Sequence, residues 1–341
     1  MEAKRIIKIT FPVLLLAGIY FLGTAPERPE YNKVMPDVPG SGVELEKYIS
    51  DEEVQHNVKP NNQARIIWND STRQKTPYAV VYLHGFSASQ AEGDPIHRTF
   101  ANAFGSNLYL PRLSDHGIDT TEALMQFTAD RAWESAKEAL AIGKQIGDKV
   151  ILVSTSTGGT LALMLAASYP QDVFALINLS PNIAINDPAA FLLNNPWGLQ
   201  IARLVMGGKY RITDANEEHA KYWNKKYRLE ALTELEELVE SSMTEDLFEK
   251  VTQPSLTLYY YKNEEEQDLQ VKVSAMLEMN EELGTPANFK EIKAMPNAGA
   301  HVLGSSMTSK DVAGVYQEME SFAIEKLQMM KINANTNVVS N

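Results

Sequence analysis

The chain has 341 residues and no cysteine, which excludes a disulfide scaffold, cysteine-ligated zinc, an iron–sulfur cluster, a thiol nucleophile and a lipobox anchor. With 44% hydrophobic and 9% aromatic residues it has enough apolar material for a packed core, which argues against global disorder. Its 44 acidic and 31 basic side chains give a formal net charge of −13, which opposes nonspecific binding to nucleic acid, so no nucleic-acid partner is expected.

The first 25 residues have the pattern of an export signal or membrane anchor. Three basic side chains precede an uncharged stretch, residues 9–26, whose centre is almost wholly apolar. A helix of this length spans about 27 Å, close to a hydrocarbon core of about 30 Å, so a cleaved signal and a retained anchor both fit. Pro26 directly after Ala25 disfavours cleavage, and we expect an anchor rather than a buried core helix. Because basic residues stay cytoplasmic, the remaining chain is expected on the non-cytoplasmic side.

Residues 26–62 are rich in proline, show little periodicity and predict a linker. Beyond them, short apolar runs alternate with longer amphipathic ones, which is typical of a mostly parallel sheet covered by helices. The predicted strands are Ala64–Trp68, Ala79–Leu83, Asn107–Leu110, Lys149–Ser154, Val173–Leu179, Leu256–Tyr261 and Phe289–Lys293. A helix is predicted over Thr121–Ile146. The sequence therefore predicts an α/β core in two parts, residues 63–185 and 253–331, followed by a disordered tail at 332–341.

Residues 186–252 interrupt the alternation and predict an inserted helical lid. No strand pattern appears in them, and the clearest helix, Leu229–Glu240, is acidic on a side that we interpret as solvated. The lid also carries large apolar side chains, which could contact an apolar substrate or merely pack the lid onto the core. These are Phe191, Leu192, Leu193, Trp197, Leu199 and Trp223.

A candidate nucleophile lies in the segment STSTGG, residues 154–159. This segment joins a β-prone run to a helical one, and a serine at such a turn has a strained backbone and an exposed hydroxyl. Its neighbours must be small because strand and helix crowd there, and Ser154 and Gly158 occupy the two flanking positions. By itself the pattern around Ser156 favours an ordinary capped helix start, so the rest of the sequence must decide.

Three further segments supply the context for Ser156. The strand at 79–83 ends in HGFS, residues 84–87, a glycine turn whose N–H groups can face an oxyanion. The other two are PRLSDHG, residues 111–117, and PNAGAH, residues 296–301, which follow later strands. Over about residues 64–327 the chain resembles the α/β-hydrolase superfamily, in its branch of carboxylesterases, monoacylglycerol lipases and lysophospholipases. Glycine is usual in that family at the positions of Ser154 and Asp115, so both residues depart from its pattern.

The resemblance implies a catalytic triad in the chain order serine, acid, histidine, which Ser156, Asp268 and His301 obey. Asp268 lies beyond a strand opened by Pro254, as the family's acid does, and Glu264 is the reserve candidate. A flexible turn would expose His301 at the carboxyl edge of the sheet. The family uses histidines such as His84 and His116 to shape loops. His56, His97 and His219 are interpreted as surface or packing residues.

The resemblance also implies the chemistry. Histidine is the side chain best matched to removing the serine proton near neutral pH, and the acid would hold its tautomer. The main-chain N–H groups of Phe86 and Thr157 would form the oxyanion hole, and an acyl-enzyme on Ser156 would be hydrolysed without metal or organic cofactor.

The predicted activity is hydrolysis of small-molecule carboxylic esters or lipids, such as monoacylglycerols or lysophospholipids, beside a membrane reached through the amino-terminal segment. Candidate substrate contacts are Phe191, Leu192, Trp197 and Trp223. Two alternatives stay open. One is a thioesterase, amidase or acyltransferase on the same fold, and the other is a noncatalytic member that binds a lipid or a partner protein.

Overall fold

In residues 18–214 and 216–332, which a computed structural model describes, seven strands form one twisted central sheet. The strands are β1 (Arg65–Ile67), β2 (Thr76–Leu83), β3 (Asn107–Leu110), β4 (Gly147–Thr155), β5 (Val173–Leu179), β8 (Ser255–Tyr259) and β9 (Lys290–Ala294). Their order across the sheet is β1, β3, β2, β4, β5, β8, β9, and all neighbours are parallel except β1 and β3. The predicted mostly parallel sheet is confirmed, with strand ends shifted by no more than a few residues.

The central strands form because their apolar runs are buried on both faces. Val150–Val153 of β4 are fully buried and pair in register with residues 79–82 of β2. Alternate residues point to opposite layers, so Leu152 packs with one hydrophobic cluster while Ile151 and Val153 pack with the other. Such two-sided burial explains why the sequence shows continuous apolar runs in place of a polar–apolar alternation.

Helices cover both faces of the sheet. The α-helices of the described residues from 43 onward are α1 (Val43–Glu53), α2 (Ile96–Ala103), α3 (Ala129–Ile146), α4 (Thr157–Ser168), α5 (Gly198–Val205), α6 (Glu217–Ala220), α7 (Glu230–Ser242), α8 (Glu245–Phe248), α9 (Val273–Glu282) and α10 (Val312–Glu325). One face is covered mainly by α3 and α4 and the other by α2 and α10, each through buried apolar side chains.

The predicted helix over Thr121–Ile146 is wrong at its start, since α3 begins only at Ala129. Thr128 has extended backbone and its hydroxyl accepts the N–H of Arg131 at 3.2 Å, so it is the residue that caps the helix. The preceding residues form turns instead. Thr121, where the helix was predicted to begin, and Thr128 are the same residue type, so only the path of the chain into the helix distinguishes them.

The predicted linker at 26–62 contains regular structure and packs against the core. Leu45 and Ile49 of α1 are buried in the hydrophobic cluster that α3 also joins. Upstream of α1, the extended chain is held by α3, where Trp133 Nε1 donates to the carbonyl of Asn32 at 2.7 Å. The sequence did not indicate this docking. A proline-rich segment without a periodic pattern can still bind to the core through its backbone.

Both ends of the chain extend beyond the described residues. Residues 1–17 of the predicted anchor and 333–341 of the predicted tail lie outside them. Residues 19–24, at the end of the predicted anchor, contact the predicted lid, where Trp197 Nε1 donates to the carbonyl of Ile19 at 2.9 Å. Among the helices that the structure describes, none combines the length and apolar character needed to cross a bilayer.

The insertion, residues 186–252, contains two strands that the sequence did not indicate. β6 (Tyr210–Ile212) and β7 (Lys226–Arg228) form an antiparallel ribbon between helices α5 and α7. Strands of three residues are too short to give a recognisable alternation. The predicted helix in the insertion is α7, and its residues Leu235 and Leu238 pack in the core.

Candidate active site

Ser156 lies at the sharp turn between β4 and α4, at the carboxyl edge of the sheet. Its backbone has φ 55° and ψ −121°, a conformation that non-glycine residues rarely adopt. Hydrogen bonds fix this turn, because the N–H of Ser156 donates to Leu179 at 3.1 Å and its carbonyl accepts from Asn182 at 2.9 Å. The strain is therefore maintained by the neighbouring strand β5 and the loop that follows it.

The residues around Ser156 are small because the backbone of β2 lies directly against the turn. A Cβ added to Gly158 would lie 1.9 Å from the carbonyl oxygen of Leu83, so no larger residue fits without moving the backbone. Ser154, on the other flank, is fully buried and its hydroxyl donates to Asn178 Oδ1 on β5 at 2.8 Å. Serine thus replaces the glycine usual there because its hydroxyl is bonded to the adjacent strand.

Asp268 and His301, 33 residues apart in the chain, are joined by a hydrogen bond of 2.6 Å between Asp268 Oδ2 and His301 Nδ1. The other oxygen of Asp268 accepts the N–H groups of Gln270 at 2.8 Å and Val271 at 3.1 Å. Asp268 is only 1% exposed, so its carboxylate is held by protein donors instead of water. Because Nδ1 of His301 faces the carboxylate, Nε2 is the ring nitrogen that remains available to accept a proton.

The electrostatics of this pair favour a charged histidine. Burial by itself lowers the pKa of His301, but the charge and hydrogen bond of Asp268, with a smaller contribution from Glu92, raise it above its ordinary value overall. For Asp268, burial raises the pKa, yet the same histidine and the two backbone donors bring it below its usual range. The aspartate is therefore ionised and can stabilise a protonated imidazole.

Ser156 and His301 line one cavity of about 720 Å³. Phe86 and Thr157, the predicted oxyanion donors, and Glu92, which the sequence did not indicate, line it as well. Among the described residues, the Ser156 hydroxyl makes no hydrogen bond to the imidazole, so the two groups share a cavity wall without being joined. Such contacts commonly close only when substrate is bound.

The turn at residues 84–87 contributes Phe86 and Ser87 to the wall of this cavity. The N–H of Leu113 donates to His84 Nε2 at 3.1 Å, so the ring proton is on Nδ1, which donates to the carbonyl of Gly85 at 3.0 Å. Burial lowers the pKa of His84 to about 4, which keeps this tautomer neutral. Within the described chain, the N–H groups of Phe86 and Thr157 donate to no protein acceptor. Both are thus available to an oxyanion.

His116 packs against the same turn from the neighbouring loop, which also contains Asp115. The ring of His116 packs edge-on against Phe86, with centroids 5.8 Å apart, and burial lowers its pKa to about 3. Asp115 has φ 64°, the left-handed region in which glycine is unstrained and aspartate is better tolerated than most residues. Its side chain also accepts the N–H of Gln126 at 2.8 Å, which accounts for aspartate at a position where glycine is usual.

Residues of the insertion form much of the cavity wall. Of the four predicted substrate contacts, all of which belong to the insertion, only two line the cavity. Leu192 and Trp223 line the cavity. Phe191 is 54% exposed, and Trp197 packs beside the amino-terminal segment, so neither prediction is supported by the geometry. The wall also contains Ile201, Val205 and Leu235. A sequence cannot show which side of a short helix faces a cleft when several sides are apolar.

Other candidate residues lie elsewhere or have unexpected neighbours. The reserve acid Glu264 is exposed and accepts a hydrogen bond from Tyr261 at 2.9 Å on the surface. His97 is buried in α2 against the carbonyl of Gln90. His219, interpreted from sequence as a surface or packing residue, stacks on Trp223 at 4.0 Å and lines the cavity. In the part of the chain that is described, no His, Asp and Glu side chains form a group of three able to hold a metal ion.

The sequence profile of the alpha/beta hydrolase family matches residues 80–323, more than half of the chain and all of the site. The chain belongs to this family. The match agrees with the parallel sheet and with the position of Ser156 between β4 and α4. No curated protein sequence is significantly similar to this alpha/beta hydrolase.

Solved structures share the fold at low sequence identity. A structure from work on LipS and LipT, two metagenome-derived lipolytic enzymes, has 18% identity, a TM-score of 0.60, and covers 78% of this chain and 98% of its own. The monoacylglycerol lipase of Paleococcus ferrophilus has 13% identity, a TM-score of 0.54 and coverages of 76% and 97%. Est1E of Butyrivibrio proteoclasticus, with ferulic acid bound, has 17% identity, a TM-score of 0.51 and coverages of 78% and 95%. At these identities the similarity demonstrates the fold alone.

The crowding at the Ser156 turn predicts that Gly158→Ala will reduce both stability and activity. The added methyl group meets the backbone of β2, so we expect about 1–3 kcal/mol less unfolding free energy and about 100-fold less ester hydrolysis. Denaturant unfolding and kinetics of the folded variant measure the two effects. Gly40→Ala is the matched control, since no atom lies within 4 Å of the added Cβ, and it should change neither. Full activity in Gly158→Ala would contradict the crowding.

The raised pKa of His301 predicts the pH at which the rate of ester hydrolysis falls on the acid side. A protonated imidazole cannot take the serine proton, so kcat/KM should fall as the pH falls, with a midpoint above the value of about 6.5 that is ordinary for histidine. Initial rates between pH 5 and 9 measure this midpoint. A midpoint well below 6.5 would show that Asp268 does not stabilise the charged ring.

Proposed function

We propose that this alpha/beta hydrolase cleaves carboxylic esters, with Ser156 as nucleophile, His301 as general base and Asp268 as the acid that orients it. The observation that carries the proposal is the 2.6 Å hydrogen bond between Asp268 and His301 beside a cavity that Ser156 also lines. The three side chains come from separate loops at one edge of the sheet, where ligands of such sheets bind.

The proposed reaction proceeds through an acyl-enzyme. Ser156 Oγ attacks the ester carbonyl carbon while His301 Nε2 takes the hydroxyl proton, and the resulting imidazolium is stabilised by the Asp268 carboxylate. The imidazolium then gives its proton to the departing alcohol oxygen as the carbon–oxygen bond breaks. Water repeats the sequence on the acyl-enzyme, with His301 again taking a proton, and releases the carboxylic acid and free Ser156.

The N–H groups of Phe86 and Thr157 are proposed to stabilise the negative oxygen of each tetrahedral intermediate. Both line the cavity next to Ser156 and neither donates to another protein group among the described residues. Donors that are already oriented cost no reorganisation when charge develops, and one such donor typically contributes about 3 kcal/mol to lowering the barrier.

An apolar acyl chain is the proposed occupant of the cavity. The cavity is lined by apolar side chains, here called the apolar wall, together with polar residues; the apolar wall includes Leu192, Ile201, Val205 and Trp223. At about 720 Å³ the cavity is within the range usual for small-molecule sites. Among proteins with the same fold, a monoacylglycerol lipase and lipolytic enzymes support a lipid-like ester such as a monoacylglycerol or lysophospholipid.

The proposal predicts that Ser156→Ala will lose ester hydrolysis by at least about 10⁴-fold while keeping its fold, because the variant lacks the hydroxyl proposed to form the acyl-enzyme. Hydrolysis of p-nitrophenyl esters of increasing acyl length measures the activity, and the apolar wall predicts a rise in kcat/KM from acetate to longer chains. A fluorophosphonate should label wild type but not Ser156→Ala.

Ser154→Ala is the control for that experiment, since it removes a hydroxyl two residues away that is bonded to Asn178, and it should still be labelled. Absence of labelling and of hydrolysis in wild type would overturn the proposal and favour a noncatalytic member that binds a ligand in the cavity. Retention of most hydrolysis in Ser156→Ala would assign the chemistry to another residue.

The geometry also predicts that substitutions of Asp268 and Glu264, two acids of the same loop, will have different effects on kcat. Asp268→Asn should lower kcat by about 10³- to 10⁴-fold, because an amide favours the wrong tautomer of His301 and cannot stabilise its charge. Glu264→Gln should leave kcat unchanged, since Glu264 is exposed and bonded to Tyr261. Steady-state kinetics of the two variants measure the difference, and the reverse order of effects would make Glu264 the acid.

A further inference from the structure

A second carboxyl group lies at the proposed active site and has no role in the triad. Glu92 is in the short 3₁₀ helix Gln90–Gly93 that follows the turn at residues 84–87, and it is only 2% exposed. It lines the same cavity as Ser156 and His301. A buried acid needs compensating contacts, so its neighbours indicate what it does.

The contacts of Glu92 connect the turn to the strand that carries the nucleophile. Glu92 Oε2 accepts the N–H of Gly85 at 2.6 Å and lies 3.2 Å from the hydroxyl of Tyr82. The same hydroxyl lies 2.9 Å from Thr155 Oγ1, and Thr155 immediately precedes Ser156. One carboxyl oxygen is therefore bonded to the turn and, through Tyr82, to the end of β4.

The other carboxyl oxygen of Glu92 and the side chain of Ser156 both lie next to Gly85. A Cβ placed on Gly85 would be 2.8 Å from Glu92 Oε1 and 3.0 Å from the Cβ of Ser156, so both groups contact the same small space. Within the described residues, Oε1 accepts no hydrogen bond. Oε1 is not among the fully buried atoms without a partner, so it keeps access to the cavity, and Oε2 is the oxygen through which Glu92 contacts the turn.

The bonds at Gly85 determine where the next N–H group points. Glu92 holds the N–H of Gly85, and His84 Nδ1 holds its carbonyl at 3.0 Å. In a trans peptide the carbonyl of Gly85 and the N–H of Phe86 point in opposite directions. With both polar groups of Gly85 held, the N–H of Phe86 is fixed in orientation and faces away from His84.

The charge of Glu92 is also coupled to the site. Burial raises the pKa of Glu92 to about 7, against the lowering effects of the Gly85 N–H, of His301 and of Tyr82. In turn, Glu92 contributes to the raised pKa of His301. Experiments must therefore separate the effect of removing the charge of Glu92 from the effect of removing its hydrogen-bond acceptor.

We propose that Glu92 is a positioning residue for the reaction, whose carboxyl holds the Gly85 N–H and thereby keeps the Phe86 N–H oriented toward the oxyanion. The inference rests on the proposed function, because an oxyanion forms only if Ser156 attacks an ester. It adds a residue to the site whose effect is exerted through the backbone and not by contact with substrate.

Two substitutions at Glu92 separate its possible roles. Glu92→Gln keeps an acceptor of the same shape and removes the charge, whereas Glu92→Ala removes the acceptor. We expect Glu92→Ala to lower kcat about 10- to 100-fold with KM changed less than about threefold, because the oxyanion exists only in the tetrahedral state. Glu92→Gln should retain kcat within about threefold of wild type. Glu92→Leu, which fills the space, is the second test if the alanine variant does not fold.

A boronic acid that forms a tetrahedral adduct with Ser156 provides an independent readout. Its affinity should fall in Glu92→Ala and Glu92→Leu by about the same factor as kcat, while Glu92→Gln binds it as wild type does. Asp94→Asn is the matched control, since this half-exposed acid two residues away forms an ion pair with Arg98 at the surface, and it should alter neither readout.

Three results would overturn the inference. The first is wild-type kcat and boronate affinity in folded Glu92→Ala or Glu92→Leu, with only a lower Tm, because Glu92 would then be purely structural. The second is an equal loss in Glu92→Gln, because the charge and not the acceptor would then matter. The third is a rise in KM with unchanged kcat. Fluorophosphonate labelling of wild type is measured first, so that failure of labelling counts against the proposed function instead.

Discussion

The strained turn at Ser156 is the constraint on which the rest of the site depends. A backbone of φ 55° costs about 1–3 kcal/mol and persists only where the surrounding structure enforces it. Here β5 and the loop after it bond both polar groups of the Ser156 backbone, and Gly158 allows α4 to touch the backbone of β2. The fully buried strands around β4 hold the turn in this conformation. The position of the Ser156 hydroxyl therefore depends on the hydrophobic core.

Around this turn, buried polar groups have fixed protonation and fixed partners. Burial lowers the pKa of His84 and His116, which keeps both rings neutral and lets them act as framework for the turn at Phe86. His301 differs because it is paired with an ionised Asp268, and its pKa moves in the opposite direction. The same residue type therefore serves as scaffold or as proposed base according to its neighbour, and burial alone does not decide which.

The cavity is assembled from parts with different origins. The sheet edge contributes the polar side, with Ser156, His301 and Glu92, and the insertion at 186–252 contributes an apolar wall that includes Leu192 and Trp223. The first part belongs to the loops at the carboxyl edge of the central sheet. The second belongs to an insertion that also contacts the amino-terminal segment, through Trp197 and the backbone of Ile19. Substrate preference should therefore depend on the insertion more than on the site at the sheet edge.

Sequence by itself determined the features that are local or repeat with a short period. The parallel strands follow from apolar runs, whereas the serine turn at 154–159 and the pairing of Asp268 with His301 were predicted from the resemblance of short segments to the family. Tertiary structure alone decided the docking of the segment at 26–62 on α3, the capping of α3 by Thr128, the contact of Trp197 with the amino-terminal segment and the hydrogen bond of Glu92 to the turn. Each depends on contacts between residues far apart in the chain, and a one-dimensional pattern carries no information about which side chain meets which.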